Sequence, residues 1–263
     1  MPANHIDTHC HLDFGRLDES RAGMLSRAAE AGVKRFVIAG VRPESWADQR
    51  ALAERMPTVR WSAGLHPVEA AHGGPEALAR CMADLPYAFE GPGAAVAVGE
   101  TGLDSRFAPP DTLTQQQIAF EAQLSWAVAR DLPVVLHLVG KGVHGPALAL
   151  CTAQSKHIRG VVHSFSGSVE QAKAWIALGL HIGLTGGVVR SNARKLHRVA
   201  REIPGDRLLV ETDAPDQSLP EGPRPNEPAC LIAIASAIAA LRGEPVECVL
   251  ERSDAAAADL YAF

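Results

Sequence analysis

Two histidines near the start of the chain, His9 and His11, have the spacing of metal ligands on a β-strand. They lie in the segment HIDTHCHLD, residues 5–13. Because side chains on a strand alternate between its two faces, residues two apart point in the same direction. Two neutral imidazoles on one face are suitable ligands for a borderline divalent metal. Surface histidines on a polar strand would show the same pattern, so the metal interpretation requires further ligands elsewhere in the chain.

Further histidines and acids follow apolar, strand-like segments along the whole chain. They are His66 in AGLHP, Glu100 in VAVGETGLD, His137 in VVLHL, His163 in GVVHSFSGS and Asp213 in LLVETDAPD. Such residues are unfavourable in buried strands unless they are paired or bind a ligand. Any one of them is compatible with a hydrogen-bonded core residue. Their repetition at the ends of successive strands predicts a shared site.

The types of ligand indicate more than one ion. One closed tetrahedral site needs only four ligands, whereas two divalent ions bridged by a carboxylate and a water use the larger set. Glu100 is the expected bridge, and Asp213 is expected to bind one ion and to accept a proton from the water. Histidine-rich sites favour Zn²⁺, Mn²⁺ or Co²⁺, while Mg²⁺ prefers oxygen ligands. This chemistry is hydrolysis of an ester, an amide or a phosphodiester. The candidate ligands are therefore four of these histidines together with Glu100 and Asp213.

Strand-like and helix-like segments alternate along the sequence. Eight such repeats without a change in composition predict a single (β/α)₈ barrel, with residues 1–263 as one domain. A doubly wound sheet would also alternate, but eight repeats favour a closed barrel. In such a barrel the active site lies at the carboxyl ends of the strands, where the predicted ligands fall. The strand-like segments are 5–9, 35–41, 59–65, 94–99, 134–138, 160–163, 180–185 and 208–212.

The composition is that of an ordinary globular protein, with 47% hydrophobic and 21% charged residues in a chain of 263. The formal net charge of −5 provides no broad basic face. Tight non-specific binding to nucleic acid is therefore not implied, although a local pocket for phosphates is compatible with this net charge.

Cysteine usage and the chain start indicate a cytoplasmic protein. The five cysteines are scattered and form no C-x-x-C pair, which is typical of reduced thiols in the cytosol. The first predicted strand begins at residue 5, so we expect no signal peptide. The apolar segment 231–240 is too short to span a bilayer and predicts a buried helix. We expect no membrane association, and nothing in the sequence indicates an obligate protein partner.

Taken in order, these motifs resemble the TatD family of metal-dependent deoxyribonucleases, within the amidohydrolase-like superfamily. The resemblance rests on HIDTHCHLD, AGLHP, GETGLD, LPVVLH, GVVHSFSGS, LLVETDAPD and RPNEP, and it runs from Ile6 to about Glu227. The segments VVHSFSGS and LLVETDAPD are most similar to the YjjV-type branch. The resemblance implies a TIM barrel that hydrolyses phosphodiesters, with DNA trimmed from its 3′ end and DNA or a small phosphodiester as substrate.

The same resemblance assigns the predicted ligands to two ions. It implies that Glu100 contacts both ions and that His66 is an additional active-site residue that contacts the phosphate. Assays in this family also use Mg²⁺, so the identity of the ion is left open among Zn²⁺, Mn²⁺, Mg²⁺ and Co²⁺. The first ion is assigned to His9, His11, Glu100 and Asp213, and the second to Glu100, His137 and His163.

The loop after the fifth strand departs from the family pattern. The family usually has an arginine two residues after the strand histidine, and Val139 stands there in this chain. An arginine would hold a phosphate through paired charged hydrogen bonds, which valine cannot form. Lys141 or His144 is a candidate replacement, and Arg224 in the proline-rich loop is a further candidate substrate contact. Alternatively, the metal alone holds the phosphate.

Two other functions are compatible with parts of this pattern. The first is an amidohydrolase-type enzyme acting on a small cyclic amide, ester or lactone. Glu100 argues against it, because many binuclear amidohydrolases use a carbamylated lysine as the bridge. The second is a binding protein on an inactive barrel, against which the complete set of predicted ligands argues.

Overall fold

The computed structural model describes residues 3–154 and 157–263, in which strands and helices alternate. The eight strands form one sheet in chain order, which is the arrangement of a (β/α)₈ barrel. The strands are β1 (His5–Cys10), β2 (Val33–Ile38), β3 (Val59–Ala63), β4 (Ala97–Asp104), β5 (Val134–Val139), β6 (Gly160–His163), β7 (Leu180–Leu184) and β8 (Leu208–Val210). The helices are α1 (Arg21–Glu30), α2 (Trp46–Arg55), α3 (Pro67–Ala88), α4 (Leu113–Ala129), α5 (His144–Thr152), α6 (Val169–Ala177), α7 (Arg194–Glu202), α8 (Leu231–Arg242) and α9 (Val246–Tyr261).

The chain forms two compact units. Unit 1 contains β1, β2, β8 and most of β7, together with α1, α7, α8, α9 and the segment 164–173. Unit 2 contains β3 to β6 and the helices α2 to α5. The four parallel strands of unit 2 are therefore neighbours in the sheet. The four strands of unit 1 are also neighbours, because β8 contacts β1.

In unit 1, hydrogen bonds hold the end of β1 against the segment that follows β8. The backbone N–H of Asp213 donates to His9 O (2.9 Å), and the N–H of His11 donates to Ala214 O (2.7 Å). The buried carboxylate of Asp7 accepts from both the backbone N–H (3.0 Å) and the hydroxyl (2.5 Å) of Thr212. These bonds place the side chains of His9, His11 and Asp213 next to one another.

In unit 2, the register of β4, β5 and β6 aligns the polar residues. His137 on β5 is paired with Gly102 on β4 and with His163 on β6. Glu100 lies at a shift in the β4–β5 register, between the pairs formed by Gly99 and Thr101. The position of Gly102 has to be glycine, because a Cβ there would lie 2.2 Å from His137 O.

The predicted end of the fourth strand was wrong. The sequence placed Glu100 just beyond a strand over residues 94–99, whereas β4 runs from Ala97 to Asp104 and contains Glu100. The strand continues because its pairing with β5 extends to Asp104 and Val139. His137 likewise lies inside β5, which ends at Val139.

The eight predicted repeats imply a helix after each strand, but no bounds were predicted for two of these helices. α3 spans Pro67–Ala88 and contains a break at Gly74 (φ 65°), which precedes Pro75. α5 begins at His144, within the segment that was predicted to be a loop. Its polar and glycine-rich start, HGPALALCT, lacks the apolar periodicity from which the other helices were recognised.

The segment 231–240, which the sequence predicts to be a buried helix, lies within α8. α8 buries one apolar face, with Leu231, Ile234, Ala235 and Ile238 inaccessible to solvent. On α9, the carboxylate of Asp254 lies 2.8 Å from His5 Nδ1 and accepts the N–H of Ile6 (2.8 Å), which anchors the helix to the start of β1.

Over residues 3–154 and 157–263, no single helix is long and apolar enough to cross a membrane. The segments Pro228–Arg242 and Val246–Tyr261, bent by 113° at their junction, meet the length and composition criteria only as a pair. All five cysteines are free thiols, and four of them are buried.

Candidate metal centre

Unit 1 brings together His9, His11 and Asp213, called cluster 1 below. Oδ1 of Asp213 lies 3.5 Å from His9 Nε2 and 3.4 Å from His11 Nε2. All three residues are at least nine-tenths buried. The ring of Phe14 stacks on His11 with 4.8 Å between ring centroids, which limits rotation of that imidazole. Three potential ligands therefore converge from β1 and from the segment after β8.

The spacing in cluster 1 suits a metal ion. Ligand atoms around a tetrahedral zinc ion, with bonds of about 2.0–2.1 Å, lie about 3.3 Å apart. The two distances to Asp213 Oδ1 are close to this value. Two imidazole nitrogens and one carboxylate oxygen are also the donor set of many catalytic zinc sites. The residues of cluster 1 therefore fit a divalent ion.

Unit 2 brings together Glu100, His137 and His163, called cluster 2 below. Oε2 of Glu100 lies 2.9 Å from His163 Nε2 and 3.2 Å from His137 Nδ1. The two ring nitrogens lie 3.1 Å apart. These separations also approach those between ligands of one ion. Because three potential donors point at one small volume, cluster 2 fits a divalent ion as well.

Asp104, at the end of β4, holds the ring of His137. Its Oδ2 lies 3.0 Å from Nε2 of His137, on the side of the ring away from Glu100. Its Oδ1 accepts the backbone N–H groups of Arg106 and Phe107, both at 2.7 Å. A carboxylate behind a ligating histidine fixes the ring orientation and increases its basicity. Asp104 therefore both supports the ring of His137 and caps the loop that follows β4.

The charges in cluster 2 are balanced when His137 is protonated. Burial lowers the pKa of His137, but hydrogen bonds with Asp104 and Glu100 more than offset this and raise it to about 9. Burial raises the pKa of Asp104, but the bonds from His137 and two backbone N–H groups lower it below its usual value. Metal ligation requires a neutral imidazole, so binding an ion here displaces a proton.

His66 is placed as a hydrogen-bond donor. It is the N-cap of α3, and its Nδ1 accepts the backbone N–H of Val68 (3.2 Å). The neutral ring therefore carries its proton on Nε2, which lies 3.1 Å from His137 Nδ1. Although His66, Glu100 and His137 offer three ligand atoms within 4.8 Å, this tautomer favours donation by His66 over ligation. The predicted phosphate contact needs such a donor.

The predicted substrate contacts lie outside both clusters. Lys141 is exposed in the loop after β5, where its carbonyl accepts from the hydroxyl of Ser105 (3.0 Å). Arg224 is exposed in the proline-rich loop. His144 is half-buried, and its Nδ1 accepts the indole N–H of Trp175 (3.2 Å). Burial lowers the pKa of His144, so it is a poor substitute for a cationic arginine at neutral pH.

Two polar residues near cluster 1 were missed in the sequence. Glu211 is fully buried against Gly183 and accepts the backbone N–H of Ser164 (2.5 Å). Glu211 directly follows the apolar run LLV in LLVETDAPD, and an acid in that position is a pattern from which it could have been predicted. Gln217 contacts Asp213 and lies in a polar loop, where no sequence pattern distinguishes it.

Comparison with known protein families decides where this chain belongs. The family model described as TatD related DNase matches residues 6–262. The chain belongs to the TatD family. The match covers both clusters and nearly the whole described chain, and it confirms the resemblance inferred from the motifs.

Relatives and solved structures agree with this assignment. An uncharacterized metal-dependent hydrolase, YjjV of Escherichia coli K12, is 34% identical over 249 residues, which cover 94% of this chain and 93% of YjjV. The 3′-5′ ssDNA/RNA exonuclease TatD of Erwinia billingiae is 36% identical over 267 residues, covering 97% and 98%. The crystal structure of E. coli YjjV has a TM-score of 0.90 at 32% identity over the whole of both chains. The TatD-family chain is thus a metal-dependent hydrolase with a (β/α)₈ barrel fold, as predicted.

Proposed function

We propose that this TatD-family hydrolase cleaves phosphodiester bonds and removes nucleotides from the 3′ end of single-stranded DNA. The observation that carries the proposal is cluster 2, in which Glu100, His137 and His163 converge and Asp104 supports the ring of His137. The TatD exonuclease of Erwinia billingiae, similar over nearly its whole length, supports a nucleic-acid substrate.

The proposed metal content is two divalent ions. Cluster 1 would hold one ion through His9, His11 and Asp213, and cluster 2 would hold the other. The bridging role of Glu100 remains a prediction from the family resemblance. The donor chemistry supports Zn²⁺, Mn²⁺ or Co²⁺, and Mg²⁺ remains a candidate. When bound, such ions supply a Lewis acid for phosphoryl oxygens and lower the pKa of a bound water to about 7.

The protein side chains then have separate roles. The Nε2–H of His66 donates to a phosphate oxygen, and its bond to Val68 holds the ring for this purpose. Asp213 and Glu100 act at the metal ions, where Asp213 also accepts a proton from the attacking water. Lys141 and Arg224, from exposed loops, contact phosphates of neighbouring nucleotides.

In this proposal, residues 1–263 form a single metallohydrolase domain that acts in the cytoplasm. Free cysteines without a disulfide support a reducing compartment. The alternative, hydrolysis of a cyclic amide, ester or lactone, is not favoured, because the matched family and the curated relatives are nucleases and metal-dependent hydrolases.

The test uses metal-stripped protein reconstituted with Mn²⁺, Zn²⁺, Co²⁺ or Mg²⁺. Single-stranded DNA labelled at its 5′ end should yield a ladder of products shortened from the 3′ end. A matched oligonucleotide with 3′-terminal phosphorothioate linkages should resist cleavage, and bis-p-nitrophenyl phosphate should also be hydrolysed. The Glu100→Gln protein, purified in the same way, controls for contaminating nucleases. Hydrolysis of a lactone or cyclic amide without any phosphodiester cleavage would overturn the proposal.

A further inference from the structure

Gln217 connects three loops of unit 1 through its side-chain amide. Its Nε2 donates to Oδ2 of Asp213 and to Oγ of Ser164, both at 2.5 Å. Its Oε1 accepts the hydroxyl of Thr185 at 2.8 Å. These partners follow β8, β6 and β7, respectively. The loops at the carboxyl ends of three strands therefore meet at one amide group.

The chemistry of the partners sets the orientation of this amide. A carboxylate oxygen only accepts hydrogen bonds, so the nitrogen of Gln217 must face Asp213. The hydroxyl of Thr185 can donate to the amide oxygen on the other side. Exchanging the nitrogen and oxygen would set two acceptors against each other at Asp213. The two N–H groups and the carbonyl are thus all used in this one arrangement.

The amide distinguishes the two oxygens of Asp213. Oδ2 is engaged by Gln217, whereas Oδ1 is the atom that lies 3.5 Å from His9 Nε2 and 3.4 Å from His11 Nε2. Rotation of the carboxylate about its Cβ–Cγ bond would break the charge-assisted bond to Gln217. The side chain of Gln217 therefore fixes the plane of the carboxylate, so that one oxygen faces the two imidazoles.

We propose that Gln217 is a positioning residue that fixes the carboxylate of Asp213 as a ligand of the metal in cluster 1. This inference rests on the proposed function, since it assumes that cluster 1 holds an ion. Gln217 acts through Asp213 and does not itself coordinate the ion. Its loss weakens metal binding and lowers kcat, because the carboxylate then rotates among several orientations.

The backbone around Gln217 supports a role beyond loop packing. In the described part of the chain, five residues other than glycine have a positive φ, and three of them meet here. These are Ser164 (45°), Asp213 (58°) and Gln217 (51°). Strained residues of this kind concentrate at functional sites, where the surrounding structure holds them in place.

Neighbouring bonds hold the loop that presents Gln217. The amide of Asn226 donates to the carbonyls of Thr212 and Asp216, each at 2.9 Å. The N–H of Asp216 donates to the carbonyl of Asp213 (2.9 Å). These bonds do not involve the side chain of Gln217. The loop should therefore keep its conformation when that side chain is replaced. Gln217 is also exposed, so its replacement removes little buried packing.

Two variants separate positioning from stability. Gln217→Met keeps the length of the side chain and removes all three of its hydrogen bonds. Gln217→Gly removes the same bonds and also relieves the positive φ, which glycine adopts readily. Gln171→Leu is the matched control, since Gln171 is also an exposed glutamine of unit 1, and its side chain accepts the N–H of Ser168 (2.9 Å) at the start of α6.

Titration calorimetry on metal-stripped protein measures the dissociation constant of Mn²⁺. Steady-state assays on bis-p-nitrophenyl phosphate give kcat and KM, and thermal unfolding in EDTA gives the stability without metal. We expect both Gln217 variants to bind Mn²⁺ about 10–100-fold more weakly, as for other groups that support a ligand. Their kcat should fall with KM nearly unchanged, and Gln171→Leu should match the wild type. Gln217→Gly should unfold at or above the temperature of Gln217→Met without regaining metal affinity.

Two results would overturn the positioning role. One is metal affinity within twofold of the wild type in both Gln217 variants. The other is recovery of affinity in Gln217→Gly in step with its stability, since a purely structural role predicts that outcome. A wild-type protein that binds no Mn²⁺ and cleaves no phosphodiester would instead refute the proposed function itself, so the two failures are distinguishable.

Discussion

His137 uses its two ring nitrogens differently. Nδ1 faces Glu100 and His163, and Nε2 is held by Asp104. A histidine that ligates through one nitrogen needs an acceptor on the other, because the second nitrogen then carries the proton. Asp104 is itself fixed by Gln116, whose Oε1 accepts the N–H of Asp104 (2.7 Å). Asp104 therefore links the ligand geometry of cluster 2 to helix α4.

The first prediction concerns this carboxylate. Asp104→Asn should weaken Mn²⁺ binding by about 10–100-fold, because the amide then turns its NH₂ group toward Nε2 of His137 and cannot accept the ring N–H. The fold should persist, since the amide oxygen can still accept the N–H groups of Arg106 and Phe107. Titration calorimetry measures the affinity. Asp111→Asn, an exposed acid ahead of α4, is the control and should change nothing. Equal affinities in the two variants would contradict the role of Asp104.

The second prediction concerns pH. The pKa of His137 is raised from 6.5 to about 9, so its interactions with Asp104 and Glu100 stabilise the metal-free fold fully below pH 6.5. This contribution is lost as the pH rises toward 9. Metal binding has the opposite dependence, since the proton must leave, and log Kd should fall by about one per pH unit. Unfolding of stripped protein and Mn²⁺ titrations at pH 6.5, 7.25 and 8 test both trends, and a flat affinity profile would contradict them.

At the scale of secondary structure, long-range hydrogen bonds assemble cluster 1. Asp7 and Thr212 are 205 positions apart in the sequence, and the bond between them sets the end of β1 against the segment after β8. Asp254 on α9 anchors the beginning of the same strand. Both ends of β1 are thus held by residues from the last quarter of the chain.

The third prediction tests the anchor on α9. Asp254→Ala removes the acceptor for the N–H of Ile6 and the partner of His5, and should destabilise the fold by about 1–3 kcal/mol. The loss should be measured by urea unfolding with metal removed. Glu251→Ala, at an exposed residue of the same helix, removes the same charge and should cost much less. Similar losses in the two variants would show that the anchor contributes little.

Most elements could be predicted because their cores have a local pattern. β5 and β6 are continuous apolar runs, and α8 shows an apolar face at helical spacing. The extension of β4 to Asp104 could not be predicted, because residues 100–104 contain polar and glycine positions that become strand only by pairing with β5. α5 has no periodic pattern at its start, so it was missed.

At the scale of the whole molecule, several residues of the two clusters could be picked out because polar side chains are unusual in apolar strands. His137 and His163 stand out in VVLHL and GVVH without any knowledge of the fold. Asp104 lies in the motif GETGLD, but the histidine that it holds depends on the pairing of β4 with β5. Gln217 could not be recognised, since its role depends on loops that the sequence separates by 53 positions from Ser164 and 32 from Thr185. Patterns along the chain identify residue types, and distant contacts determine their roles.

The last prediction joins metal binding to the stability of the entire chain. An ion that binds only the folded state stabilises it by about 2.7 kcal/mol when its concentration is 100 times Kd. Removal of metal with EDTA should therefore lower the unfolding temperature of the wild type, and Mn²⁺ should restore it. Glu100→Gln and Asp213→Asn should remain folded in EDTA but respond weakly to Mn²⁺ and lose hydrolysis of bis-p-nitrophenyl phosphate.

The stripped wild-type protein is the reference, because it separates the loss of an ion from the loss of a side chain. Such a variant unfolds at the same temperature as the stripped wild type, but Mn²⁺ raises that temperature only slightly. It has therefore lost a metal ligand, whereas its core is intact. Retained hydrolysis in either variant would contradict the assignment of that carboxylate. Lost hydrolysis with a full response to Mn²⁺ would place the residue in the reaction but outside the coordination of the ion, which separates the two roles proposed for Asp213.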